Sequence, residues 1–258
     1  PVGAAAINRV PRRMIREQVE RVCRERGYSG GLAVTVSIPG GAERAARTFN
    51  PSLGVEGGLS ILGTSGIVEP MSEQAIVDTI ALQTRQAAAA STDLILTPGN
   101  YGEDFLKGTG LDRLGVPVVK YSNFLGDALD IAVSEGFRQV LLVGHLGKLV
   151  KAAGGIMNTH SRYADCRTEL FCAHAALCGA GTALCRELMD AAATDACVAL
   201  LDGAGLRRAV LDSLLAAIQL HLERRTAGAC RIGAVVFSNQ YGLLGRTERA
   251  KEILEGWR

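Results

Sequence analysis

The sequence predicts an α/β protein whose main part is a doubly wound, mainly parallel sheet. Three observations point there. From about residue 55 onward, short apolar runs alternate with longer helical patterns, which is how parallel strands joined by crossover helices read. Each apolar run ends in a loop carrying Gly, Asn, Ser or His, as expected where an open sheet binds ligands along its carboxyl edge. Finally, 258 residues with 48% hydrophobic and 21% charged content leave room for one large globular domain and a smaller part.

Taken in order, the chain first shows a helical pattern from Pro11, with Ile15, Val19, Val22 and Cys23 recurring up to Gly27. Residues 31–38 then alternate, with Leu32, Val34, Val36 and Ile38 on one face, and predict a strand ended by Pro39-Gly40-Gly41. The change of pattern near Gly54 sets a boundary. Residues 1–54 read as part of a smaller N-terminal α+β domain, and residues 55–258 as a cofactor- and substrate-binding domain of Rossmann-like class. That second part opens with a strand containing Leu59, Ile61 and Leu62, then a loop bearing Gly63 and Gly66. A helix follows from Ser72 to about Ala90, with Ser72 as N-cap and Met71 and Ile76 as a hydrophobic staple. The loop glycines allow close backbone approach, and its N–H groups suit an anionic group, although no complete G-x-G-x-x-G is present.

Further strands are expected at residues 94–96, 116–119, 139–143 and 232–237. Between the last two, residues 167–225 are helical throughout, a helical insertion whose stripe Val210, Leu214, Ile218 and Leu222 reads as core packing or a cap over the sheet. A closing helix follows the loop at residues 238–242.

The formal charge of +2 implies no polyanionic partner, so no nucleic acid is expected, and no apolar run approaches a membrane span. With no leader pattern, no C-x-x-C and seven scattered cysteines, the expectation is a cytoplasmic protein with reduced thiols and no protein-held metal. Ser-His-Asp order, a Walker loop and H-E-x-x-H are all missing, which leaves hydrolase and metalloenzyme readings without support. The densest polar cluster follows the fourth strand of the alternation: His145, Lys148, Lys151, and residues 158–165 with His160, Ser161 and Arg162. Such a set suits a ligand bearing several carboxylates; the alternative is a solvated loop whose Asn158 and Thr159 cap the next helix.

Several long stretches carry a resemblance. Residues 57–72 (GGLSILGTSGIVEPMS), 122–132 (SNFLGDALDIA), 143–151 (VGHLGKLVK) and 158–165 (NTHSRYAD) resemble the cobalt-precorrin-5B C(1)-methyltransferases of the CbiD type. So do residues 172–176 (CAHAA) and 238–242 (SNQYG), all in collinear order over nearly the whole chain. The resemblance implies S-adenosylmethionine-dependent methylation of ring carbon 1 of cobalt-precorrin-5B, giving cobalt-precorrin-6A, in the anaerobic route to cobalamin. Cobalt would then come with the corrinoid substrate. On this implication Gly63, Thr64, Ser65 and Gly66 hold the methionine part of the cofactor, with Asn100, Ser122 and Asn123 as further cofactor contacts. His145, Lys148, His160, Ser161 and Arg162 face the acetate and propionate arms, the two histidines orienting substrate. Members of the family also carry a glycine- and threonine-rich N-terminal segment, which would pair with the strand at residues 31–38. The chain departs from other methyltransferases in one respect: the loop after the strand at 94–96 is Thr97-Pro98-Gly99-Asn100, with Glu103 and Asp104 only farther on, so no acid stands at the usual ribose position. Two other classes stay open: a nicotinamide-dependent oxidoreductase on the same sheet, and a non-catalytic corrinoid-binding protein. The oligomeric state is not set by the sequence.

Overall fold

A computed structural model describes residues 3–48, 50–51, 54–63 and 72–257. The chain divides into two compact units, Pro1–Ala75 and Ile76–Arg258.

In the first unit, α1 (Arg9–Glu25) is the expected helix, with Pro11 in its first turn, where a missing N–H costs nothing. A short α2 (Gly41–Ala45) follows. Residues 31–38 are a correction: they form no strand. Leu32, Val34, Val36 and Ile38 stay 59%, 55%, 43% and 43% exposed, because alternation selects a face but a ladder needs a neighbouring chain to supply its hydrogen bonds. The strand expected at residues 59–62 is likewise reduced to a single parallel bridge between Ile61 and Ile7. The Met71 staple and the loop residues Thr64, Ser65 and Gly66 lie outside the described residues.

Helix α3 (Glu73–Ala88) leads into the sheet, with Ser72 Oγ accepting a long hydrogen bond (3.4 Å) from the Ala75 N–H at its start. The sheet contains β1 (Asp93–Thr97), β2 (Val118–Lys120), β3 (Gln139–His145), β4 (Arg231–Ser238) and β5 (Gly242–Arg246). Their order is β2-β1-β3-β4-β5, parallel except for β5, which runs antiparallel to β4. β5 is unforeseen in the sequence: two of its five residues are glycines, which hide the alternation. Helices α4 (Asn100–Thr109) and α5 (Leu125–Ser134) complete the first two crossovers.

Both faces of the sheet are covered, as a parallel sheet requires. Leu94, Leu96, Val140, Leu142, Ile232 and Ala234 face a large core, and Ile95, Leu141, Val143, Val235 and Phe237 face a smaller one. On the large side lie α3, α5 and the helical run α7 (Arg167–Leu177), α8 (Thr182–Met189), α9 (Thr194–Gly203) and α10 (Arg207–Thr226). The stripe Val210, Leu214, Ile218 and Leu222 is buried there, so it is core packing. On the small side, Leu106 of α4 meets Ala250, Ile253 and Leu254 of α11 (Glu248–Gly256). No helix among the described residues is long and apolar enough to cross a membrane.

Candidate functional site

β1 has β2 on one side and β3 on the other, so the strand order reverses between β1 and β3, and their carboxyl ends open a crevice. A cavity of about 600 Å³ lies there. The first turn of α4 lines it, which brings the positive end of a ten-residue helix to the cavity. That turn sits close because residue 102 is glycine: a Cβ there would collide with Thr97 Oγ1 and lie 3.2 Å from the Val143 carbonyl oxygen. Exposed Tyr101 stands at the same wall.

β3 ends at His145 and turns into α6 (Leu146–Leu149), which carries Lys148. The half-buried Lys148 ammonium donates to Asn123 Oδ1 at 2.8 Å and to the Ser122 carbonyl at 3.1 Å. Both are neutral oxygens, and no carboxylate pairs with Lys148 among the described residues. Burial, and then the neighbouring Lys151 charge, push its pKa below the ordinary lysine value. Ser122 adopts a left-handed backbone (φ 56°), uncommon for a non-glycine residue, to present that carbonyl.

Lys151, in the turn Val150–Gly154, has a different job. Only 1% exposed, it donates to the Ala164 carbonyl (2.8 Å), the Thr159 carbonyl (3.1 Å) and Ser161 Oγ (3.4 Å), and lies 3.7 Å from Asp165 Oδ1. Its hydrogens are engaged by the 159–165 loop, so it shapes that loop. Asp165 in turn accepts from Arg167 Nε and, at 2.9 Å, from Nη2; those bonds hold its carboxyl below the usual range. The cap expected at Asn158 and Thr159 is replaced by local bonds. Asn158 Oδ1 accepts from the His160 N–H at 3.1 Å, Thr159 Oγ1 donates to Asn123 Oδ1 at 3.3 Å, and α7 starts only at Arg167.

Each histidine of the cluster has one ring nitrogen occupied. His145 Nδ1 accepts from the Gly147 N–H at 3.1 Å, and His160 Nδ1 from the Arg162 N–H at 3.0 Å. His145 packs edge-on against Phe237, and burial lowers its pKa, with Asp195 partly opposing. Asp195 also accepts from Ser238 Oγ at 2.7 Å, and Ser238 Oγ accepts from the Gln240 N–H at 3.0 Å. This fixes the β4–β5 turn, from which Asn239 reaches the cavity wall.

The structure thus brings Asn100, Asn123, His145, Lys148, His160 and Ser161 around one cavity. Ser122 contributes through its carbonyl. Arg162 is not among the residues that line the cavity; its guanidinium lies 5.1 Å over the Tyr163 ring. Arg167 lines it instead, as do Tyr101 and Asn239. Sequence patterns do not single these three out, although Arg167 follows the 158–165 stretch closely and Asn239 lies within residues 238–242. Gly63 belongs to the first unit, where a Cβ would meet only Pro11 Cγ at 3.7 Å.

Residues 1–70 match the CbiD family, and residues 158–248 match the CbiD C-terminal domain. The cobalt-precorrin-5B C(1)-methyltransferase of Ruminiclostridium cellulolyticum is 48% identical over 92% of this chain and 62% of its own length. The chain belongs to the CbiD family. Other family members so named, from Alkaliphilus metalliredigens and Moorella thermoacetica, are each 40% identical over 99% and 100% of this chain, and over 67% and 70% of their own lengths. The chain therefore spans roughly two thirds of these relatives, and less than that of the first. No solved structure matches it.

Proposed function

We propose that the chain takes part in S-adenosylmethionine-dependent methylation of ring carbon 1 of cobalt-precorrin-5B, in cobalamin biosynthesis, the activity named for its relatives. The observation that carries the site assignment is the Lys148 ammonium, half-buried at the cavity with only neutral oxygens as partners. Such a cation is completed by an anionic ligand, and the acetate and propionate arms of a corrinoid are anionic. Cobalt is part of that substrate. The helical end at Asn100 and Tyr101 fits a carboxylate as well, the cofactor's amino-acid group being one. The assignment of Gly63, Thr64, Ser65 and Gly66 to the methionine part of the cofactor rests on their sequence pattern. A Rossmann-like class for the sheet unit, a partial α+β domain at residues 1–54 and a cytoplasmic place belong to the same proposal.

When bound, S-adenosylmethionine supplies a sulfonium methyl that is already activated. The demands on the chain are then binding, orientation and exclusion of water. Lys148 and Arg167 hold carboxylate arms, His145 and His160 donate hydrogen bonds, and Tyr101 offers an exposed ring at the cavity wall. Lys151 and Asp165 keep the loop and Arg167 in place. Titration calorimetry tests this with S-adenosylhomocysteine, NADH and dicyanocobyrinic acid, a corrinoid with free carboxylates. Binding of the first and third supports the proposal. Binding of NADH without S-adenosylhomocysteine would turn it into an oxidoreductase, and corrinoid binding alone into a carrier.

A further inference from the structure

We infer that His145 and His160 are held, before any ligand arrives, in the Nε2–H tautomer, and that the polar wall of the cavity therefore selects free carboxylates over amides. This deepens the corrinoid reading and rests on it for the identity of the ligand alone. The lock follows from hydrogen-bond inventory. A neutral imidazole has one donor and one acceptor nitrogen, while an imidazolium has two donors. In both residues Nδ1 accepts the backbone N–H two residues onward, from Gly147 at 3.1 Å and from Arg162 at 3.0 Å. The proton must then sit on Nε2. Protonating Nδ1 would set N–H against N–H at each site and lose the bond. Neither ring has a lone pair left to take a proton from substrate without breaking its own turn, so both are positioning residues and not bases.

The same device occurs twice in unrelated local settings. His145 caps the four-residue helix α6, and His160 lies in the loop tethered by Lys151. Both line the one cavity. Around them, three further cavity groups have donors to spare. Lys148 has one hydrogen beyond those given to Ser122 and Asn123. Arg167, with Nε and Nη2 on Asp165, keeps Nη1. Asn100 Oδ1 is already occupied by Lys120 Nζ at 3.1 Å, which leaves its NH₂. A wall of donors matches an acceptor-only carboxylate. A carboxamide would turn an NH₂ toward one of the half-buried donors, His145, Lys148 or Arg167, and leave it without an acceptor.

The tautomers can be tested without substrate. Long-range proton–nitrogen correlation on the ¹⁵N-labelled, unliganded chain above neutral pH reads the tautomer of each histidine, with His145→Gln and His160→Gln assigning the signals. The expected pattern is an unprotonated Nδ1 and a protonated Nε2 for both. The opposite tautomer, or averaging between the two, at either residue overturns the lock. The selectivity is tested by comparing dicyanocobyrinic acid with dicyanocobinamide, in which the carboxylates are amides. The acid is expected to bind tighter by about tenfold or more. Equal affinities overturn the selectivity. Binding of neither corrinoid defeats both the selectivity and the methyltransferase proposal, while the tautomers read from the unliganded chain still decide the lock.

Discussion

Apolar segments that all read as strands in the sequence end differently in the two units. Residues 31–38 alternate cleanly and remain unpaired with their apolar side chains exposed, whereas β3 and β4 carry continuous apolar runs and are buried on both faces. The difference is one of partners. β3 exchanges ladder hydrogen bonds with β1 and β4 and is covered by helices on each side. An extended segment with no partner strand among the described residues has no ladder to join, however suitable its side chains.

Core truncation gives the largest contrast between these regions. Leu142→Ala, at a fully buried position of β3, is expected to cost about 2–5 kcal/mol, whereas Val34→Ala should stay within about 0.5 kcal/mol. Denaturant unfolding of the two variants measures both. A large loss at Val34 would mean that residues 31–38 are covered in solution, and the comparison would break.

Glycines give the next contrast. Gly102→Val forces a side chain into Thr97 and should destabilise by about 1–3 kcal/mol while weakening ligand binding at the cavity. Gly58→Ala meets no atom within 4 Å and should be close to neutral. Thermal unfolding of the pair is the measurement. If Gly102→Val melts like the parent, α4 does not sit against β1 as described.

The cations around the cavity sharpen the site itself. Lys148→Ala should weaken dicyanocobyrinic acid roughly tenfold to a hundredfold, the worth of a hydrogen bond to a charged group. Arg162→Ala, whose guanidinium lies over Tyr163, should change affinity less. Calorimetric titration that ranks them the other way would move the substrate arms to the 162–163 side of the loop.

The smallest effect is the dependence on pH. His145 is flanked by Asp195, Lys148 and Tyr101, and its pKa in the folded chain is lowered, chiefly by burial. The unfolded chain then binds the proton more readily, so stability rises with pH through this window. Its contribution is fully present above the unfolded value of about 6.5 and is lost as pH falls through the lower folded value. Comparing the parent with His145→Gln across that range should show a shallower slope for the variant. An unchanged slope would remove His145 from the titrating groups.

The β1–β4 runs, the crossover helices and the α10 stripe were all legible in the sequence, because period and composition act locally. Asn100, Asn123, His145 and Lys148 stand just after apolar runs, where loops at a sheet's carboxyl edge must be, while His160 and Ser161 were visible only as part of the polar cluster at residues 158–165. Tertiary contacts set which strands find neighbours, that Lys151 braces a loop while Lys148 faces the cavity, and that Arg167 rather than Arg162 is among the residues lining it. Those outcomes depend on contacts between residues distant in the chain. Lys148 and Asn123 lie 25 positions apart, and Ser238 and Asp195 lie 43 apart. No local pattern encodes which of two neighbouring lysines will meet a neutral oxygen across a crevice and which will be enclosed by a loop.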